Sequence, residues 1–167
     1  MTHREPYAIC ITKGGHLRKA EPVFCEAALN VIRQAVRESK LTYEAGGLFL
    51  GDRTGPEWTV REAVIVPSAE RDRHAFVLDG LKATQLLREA EVRSEGALSF
   101  LGIWHSHVTG IMRFSEMDRE ANRKLYEQTG IFLSALVVSC PENGKLRMTV
   151  WKIEEGNADE AVRIMDF

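Results

Sequence analysis

The chain has 167 residues, 44% of them apolar and 28% charged, with a formal net charge of -2 and a pI near 6.2. That length fits one ordinary domain and is too short for two, so a single domain over 1–167 is expected. The near-neutral charge gives no basic face for nucleic acid, and apolar runs such as residues 131–138 fall short of the roughly 20 needed to cross a bilayer. A protein partner or a small substrate is expected, with no nucleic acid and no membrane.

The first residues, Met1-Thr2-His3-Arg4-Glu5-Pro6, lack the apolar core and cleavage site of a secretory signal, which implies a cytoplasmic protein. Residues 7–12 alternate as a strand and are followed by Lys13-Gly14-Gly15, which has turn chemistry. Over residues 22–39, Val23, Ala27, Leu29, Val31, Ile32, Ala35 and Val36 recur at helical spacing, which predicts a helix with Pro22 in its first turn. Residues 46–51 form an apolar, glycine-bounded run that reads as a strand buried on both faces, and residues 59–66 read as its partner. Residues 67–78 read as a loop. Residues 79–95 return to helical period, with Asp79 as N-cap and Gly96 as stop.

Residues 100–107 read as the next strand, 115–128 as a third helix, and 132–139 with 146–153 as a hairpin about residues 141–144. The tail, residues 158–167, is amphipathic and is expected to pack on the domain. Strands interleaved with helices predict an α/β fold with a mixed sheet. Cys10, Cys25 and Cys140 are scattered and odd in number, with no Cys-x-x-Cys pair, so they predict reduced core residues rather than disulfides or thiolate metal sites.

Function concentrates in His105-Ser106-His107, seven further residues, then Ser115-Glu116-Met117-Asp118. Side chains alternate along a strand, so His105 and His107 share a face while Trp104 and Ser106 take the other. Asp118 falls in the first turn of the next helix, and the loop between them carries Gly110 to help the chain return. Two imidazoles and a carboxylate are three ligands for one catalytic Zn2+, leaving a fourth position open to water. Ser115-x-x-Asp118 is equally what a helix capping box looks like, and both readings stand at this point. His3, His16 and His74 read as exposed loop residues, Trp104 as a core anchor, and Arg71-Asp72-Arg73 as a solvated loop.

Together with Glu44 in Glu44-Ala45-Gly46-Gly47-Leu48-Phe49-Leu50-Gly51, this pattern resembles the JAMM signature of the JAB/MPN metalloprotease family. The resemblance covers nearly the whole chain and implies an α/β/α sandwich with a mixed curved sheet, similar to cytidine deaminases. It implies a zinc isopeptidase or peptidase acting on ubiquitin or ubiquitin-like proteins. His105, His107 and Asp118 would hold zinc, Glu44 would be the general base, and Ser115 would support the oxyanion. Spacing alone leaves Glu57, Glu62 and Glu70 as rival bases. Phe76-x-x-Asp79 makes the chain look most like compact bacterial JAB peptidases of ubiquitin-like conjugation and antiphage operons, whose partners include activating and conjugating enzymes. Val108 and Phe114 stand where many members have proline. The alternatives are a hydrolase of short peptides or of a sulfur-carrier C-terminus, and a non-catalytic scaffold.

Overall fold

A computed structural model describes residues 20–70, 72–155 and 160–167, so the predicted strand at residues 7–12 lies outside the described residues. The chain order is β1 (Val23–Phe24), α1 (Glu26–Ser39), β2 (Gly46–Thr54), β3 (Glu57–Ile65), α2 (Gly80–Arg93), β4 (Ser99–Ser106), α3 (Glu116–Thr129), β5 (Phe132–Cys140), β6 (Lys145–Ile153) and β7 (Ala161–Asp166). The strands form one seven-stranded mixed sheet in the order β1-β3-β2-β4-β5-β6-β7, with β4 parallel to β5 and β1 parallel to β3. No described helix is long and apolar enough to cross a membrane.

Helix α1 starts four residues later than its apolar period predicts. Val23 and Phe24 pair instead with Thr59 and Val60, and the Cys25 N–H extends this pairing by donating to the Val60 carbonyl at 2.9 Å. Phe24 meets Phe49 edge-on at 5.3 Å, whereas Val23 stays 52% exposed and is no part of the helical stripe. A free sheet edge competes for backbone groups that a helix's first turn leaves unbonded, and here the edge wins. The tail adds β7 antiparallel to β6, where Arg147 grips Asp166 through two bonds of 2.7 and 2.9 Å.

Alternation along the strands divides the core into two layers. Ala28, Leu29, Ile32, Ala35 and Val36 of α1 pack with Phe49, Trp58, Val60, Leu101, Trp104 and Leu133. Ala83, Leu86, Leu87 and Ala90 of α2 pack on the opposite face against Leu48, Leu50, Phe100 and Ile103. Helix α3 joins this second face, its Asn122 accepting a hydrogen bond from Ser134 of β5 at 3.1 Å. The result is an α/β/α sandwich. Full burial of side chains such as Phe49, Phe132 and Ile32 contributes about 1.5–3 kcal/mol each.

One irregularity decides which face the functional strand presents. Phe49 pairs with Gly102 but Leu50 pairs with Phe100, so Leu101 is an extra residue in β4. This β-bulge puts Leu101 and Trp104, three residues apart, on the α1 face. Ile103 and His105 therefore face α2 and α3.

Asp79 caps α2 as predicted, accepting the Lys82 N–H at 3.1 Å. Asp79→Ala should lower unfolding free energy by about 1 kcal/mol at unchanged denaturant slope in urea unfolding, and an unshifted midpoint would show that the cap contributes nothing.

Candidate metal centre

Register explains how distant residues meet. Gly46 of β2 pairs with His105 of β4 in antiparallel sense, so two residues outward Glu44 lies opposite His107. His107 follows directly on β4, its N–H donating to the Val137 carbonyl of β5 at 2.9 Å. The chain then turns through Gly110, whose φ of 77° suits a residue without Cβ, and re-enters helix at α3. Ser115 is the N-cap: its Oγ accepts the Asp118 N–H at 3.1 Å and its own N–H donates to Asp118 Oδ2 at 2.8 Å. The capping box exists, and it aims the Asp118 carboxylate back at the strand end.

His105 Nε2 and His107 Nε2 stand 3.1 Å apart. Asp118 reaches both, Oδ1 at 3.3 Å from His105 Nε2 and Oδ2 at 3.2 Å from His107 Nε2. Glu44, His105 and His107 also each bring one ligand atom within 4.8 Å of the others. All four side chains are buried. His107 Nδ1 lies 2.7 Å from the Ile111 carbonyl, which can only accept, so Nδ1 carries a proton and Nε2 is the nitrogen that faces the cluster.

These atoms fit a metal ion. Imidazole nitrogens and carboxylate oxygens converging at such distances need positive charge among them, carried by ring protons or by a metal ion. Donors 2.0–2.1 Å from a tetrahedral zinc lie about 3.3 Å from one another, close to the 3.1 Å between the two Nε2 atoms and the 3.3 and 3.2 Å from each to a different Asp118 oxygen.

Each titration follows from its surroundings. Burial pushes the His105 imidazole below its usual value, favouring the neutral form that can ligate. Burial acts the same way on His107, but bonds to Asp118 and Ile111 and the Glu44 charge outweigh it and raise the group. For Asp118 burial opposes ionisation, yet the two histidines and the Ser115 N–H hold it far below the usual carboxylate range. Burial pushes Glu44 up to about 7, with the His107 charge opposing and Asp118 adding to the rise. Glu44 Oε2 is buried without a hydrogen-bond partner.

Several supporting contacts carry no sequence signal strong enough to assign a role. The Ile111 carbonyl is one. Phe76 stacks on His105 with ring centres 5.8 Å apart and planes 11° apart. Gly46 makes room for it, since a Cβ there would stand 2.7 Å from the Phe76 ring and 2.6 Å from the Trp104 carbonyl. Phe114, at the position where proline is common, is buried with its ring centre 4.5 Å from that of Trp151, which ties the loop to β6. Asp72 accepts the Glu44 N–H on its carbonyl at 3.0 Å. Only the Phe76-x-x-Asp79 pattern hinted at any of these.

The rival bases lie elsewhere. Glu57 sits at the β2–β3 turn, at the far end of β2 from Gly46, Glu62 is bound to Arg93 at 2.8 and 3.1 Å, and Glu70 is exposed on the following loop. His74 is exposed, Trp104 is fully buried, and Cys25 and Cys140 are free thiols. His3, His16, Cys10 and Arg71 fall outside the described residues. A separate cavity of about 520 Å³ between α1 and the β5–β6 turn contains none of these groups.

Residues 26–154 match the family model described as prokaryotic homologs of the JAB domain, and the chain belongs to that family. It is 34% identical over 105 residues to a protein named CD-NTase/cGAS isopeptidase from Pseudomonas aeruginosa strain BWHPSA011 / Pa011, a match covering 60% of this chain and 65% of that relative. The match therefore spans just under two thirds of the relative's length. The fold resembles the solution structure of protein DSY2949 from Desulfitobacterium hafniense with a TM-score of 0.63 at 18% identity, covering 87% of this chain and 89% of that one.

Proposed function

We propose that this chain is a zinc-dependent isopeptidase that cuts after the C-terminal tail of a ubiquitin-like protein, freeing it from a precursor extension or from a conjugated amine. The observation carrying this reading is the meeting of His105 Nε2, His107 Nε2 and the Asp118 carboxylate at 3.1–3.3 Å beside a buried carboxyl with a partnerless oxygen. His105, His107 and Asp118 would hold the ion. Asp118 is preferred over Glu44 as third ligand because its carboxylate contacts both imidazoles, one through each oxygen, at 3.2–3.3 Å. That leaves Glu44 free for chemistry.

Bound there, zinc supplies a Lewis acid for the scissile carbonyl and draws the pKa of water from 15.7 toward about 7. Glu44, a buried carboxyl beside the proposed ligands, takes the proton of the attacking water and returns it to the leaving amine. Ser115 Oγ accepts one bond in the cap and retains its own proton to donate to the developing oxyanion. Phe76 walls off His105, and the substrate tail lies extended past Glu44.

The relative's name supports a CD-NTase as the protein from which the tail is released; the antiphage setting, with activating and conjugating enzymes as partners, follows from the family resemblance. The test is incubation of the zinc-loaded protein with bacterial ubiquitin-like proteins carrying a fluorogenic amide at the C-terminus. Release of the fluorophore supports the reading, and turnover of short peptide amides alone defeats it. Ser115→Ala should keep zinc, lose about 1 kcal/mol of stability with the cap, and lower kcat about 10²–10³-fold. A stability loss at wild-type kcat would confine Ser115 to capping.

A further inference from the structure

We infer that Ser106, the residue between the two histidines, positions Glu44 by closing the last rung between β2 and β4 with its side chain. The inference rests on the assignment of Glu44 as base. In a hydrogen-bonded antiparallel pair two facing residues exchange both N–H to carbonyl bonds. Ser106 keeps one of these, its N–H donating to the Ala45 carbonyl at 2.7 Å. The return bond is different: the Ala45 N–H donates to Ser106 Oγ at 2.9 Å.

Both residues are buried, at 3% and 7% exposure, so water is a poor substitute. The hydroxyl therefore holds the peptide joining Glu44 to Ala45, while the Asp72 carbonyl holds the Glu44 N–H on the other side at 3.0 Å. Pinning both peptide planes around one Cα fixes the direction in which its side chain leaves the backbone. Glu44 needs this because its Oε2 has no partner to fix the carboxyl from the far end. Without the hydroxyl, Ala45 would have a buried donor unbonded, and that peptide would turn to find another acceptor.

Ser106 points to the face opposite His105 and His107, so removing its hydroxyl leaves every proposed metal ligand in place. It acts through Glu44 and touches neither ion nor substrate.

The experiment compares Ser106→Ala, Ser106→Thr, Glu44→Gln and the Ser106→Ala/Glu44→Gln double variant as zinc-loaded full chains, using the fluorogenic amide described above. Ser106→Ala should keep one equivalent of zinc and lose about 10²-fold in kcat, the scale of an ångström's misplacement, with KM changed less than about twofold. Threonine, which keeps the hydroxyl, should restore most of the rate. The Ala45 amide should exchange slowly with deuterium in the wild type and in Ser106→Thr and rapidly in Ser106→Ala. The double variant should be no slower than Glu44→Gln, because the hydroxyl acts only through that carboxyl.

Wild-type kcat in Ser106→Ala beside an inactive Glu44→Gln would overturn the inference and leave the base assignment standing. A double variant slower than Glu44→Gln would overturn it too, by showing that the loss does not pass through Glu44. Wild-type turnover in Glu44→Gln would overturn the base assignment and this inference with it.

Discussion

Glu44→Gln is expected to retain one zinc and lose about 10²–10⁴-fold in turnover, the range for removing a general acid–base group. The substitution preserves shape and leaves His105, His107 and Asp118 untouched, so ion content and fold should not change. What it removes is the buried carboxyl beside the two imidazoles that would hold and release the proton. A charge-free amide cannot take the proton of an attacking water. Zinc analysis beside steady-state rates checks this, and wild-type turnover at full zinc would place the base elsewhere. Glu62 is a poor substitute, since Arg93 occupies both its oxygens.

His107→Ala is expected to abolish stoichiometric zinc and turnover together. Its imidazole is at once a neighbour of His105 Nε2 at 3.1 Å, a partner of Asp118 at 3.2 Å and anchored through the Ile111 carbonyl at 2.7 Å. Loss of one ligand from three leaves too few donors to compete with water for the ion. The wild-type melting temperature should rise with added zinc, because an ion that binds only the folded chain stabilises it by mass action, whereas that of the variant should stay flat. A variant that still binds one zinc with wild-type affinity would mean that Glu44, His105 and Asp118 suffice. The two substitutions thus separate holding the ion from using it.

The local part of this site was legible in the sequence. His105 and His107 share a face because strands alternate, and Ser115 with Asp118 shows its capping box because a helix start has a fixed spacing. The two readings of that box, cap or ligand, turn out to be compatible: the bond from the Ser115 N–H aims the carboxylate that meets both imidazoles. Glu44 is another matter. Its nearness to His107 depends on the pairing of Gly46 with His105, a long-range register that no local pattern specifies, and the family resemblance singled it out.

Backbone partners are illegible for a similar reason, since the Ile111 and Asp72 carbonyls would be there with any side chain at those positions. The Leu101 bulge, which turns His105 toward α3, shows only in the pairing of β4 with β2, some fifty residues away in the chain. The start of α1 departs from its apolar period because Val23 and Phe24 satisfy that period while an adjacent strand edge offers them better bonds.

The most direct test is mass-spectrometric detection of tail cleavage in the ubiquitin-like substrate before chelation, after it, and after return of one equivalent of zinc. The expected result is a cut after the last residue of the tail that disappears with the metal and returns with it. An intact substrate at full zinc occupancy, or cleavage indifferent to chelation, would contradict the assignment of this chain as a zinc isopeptidase.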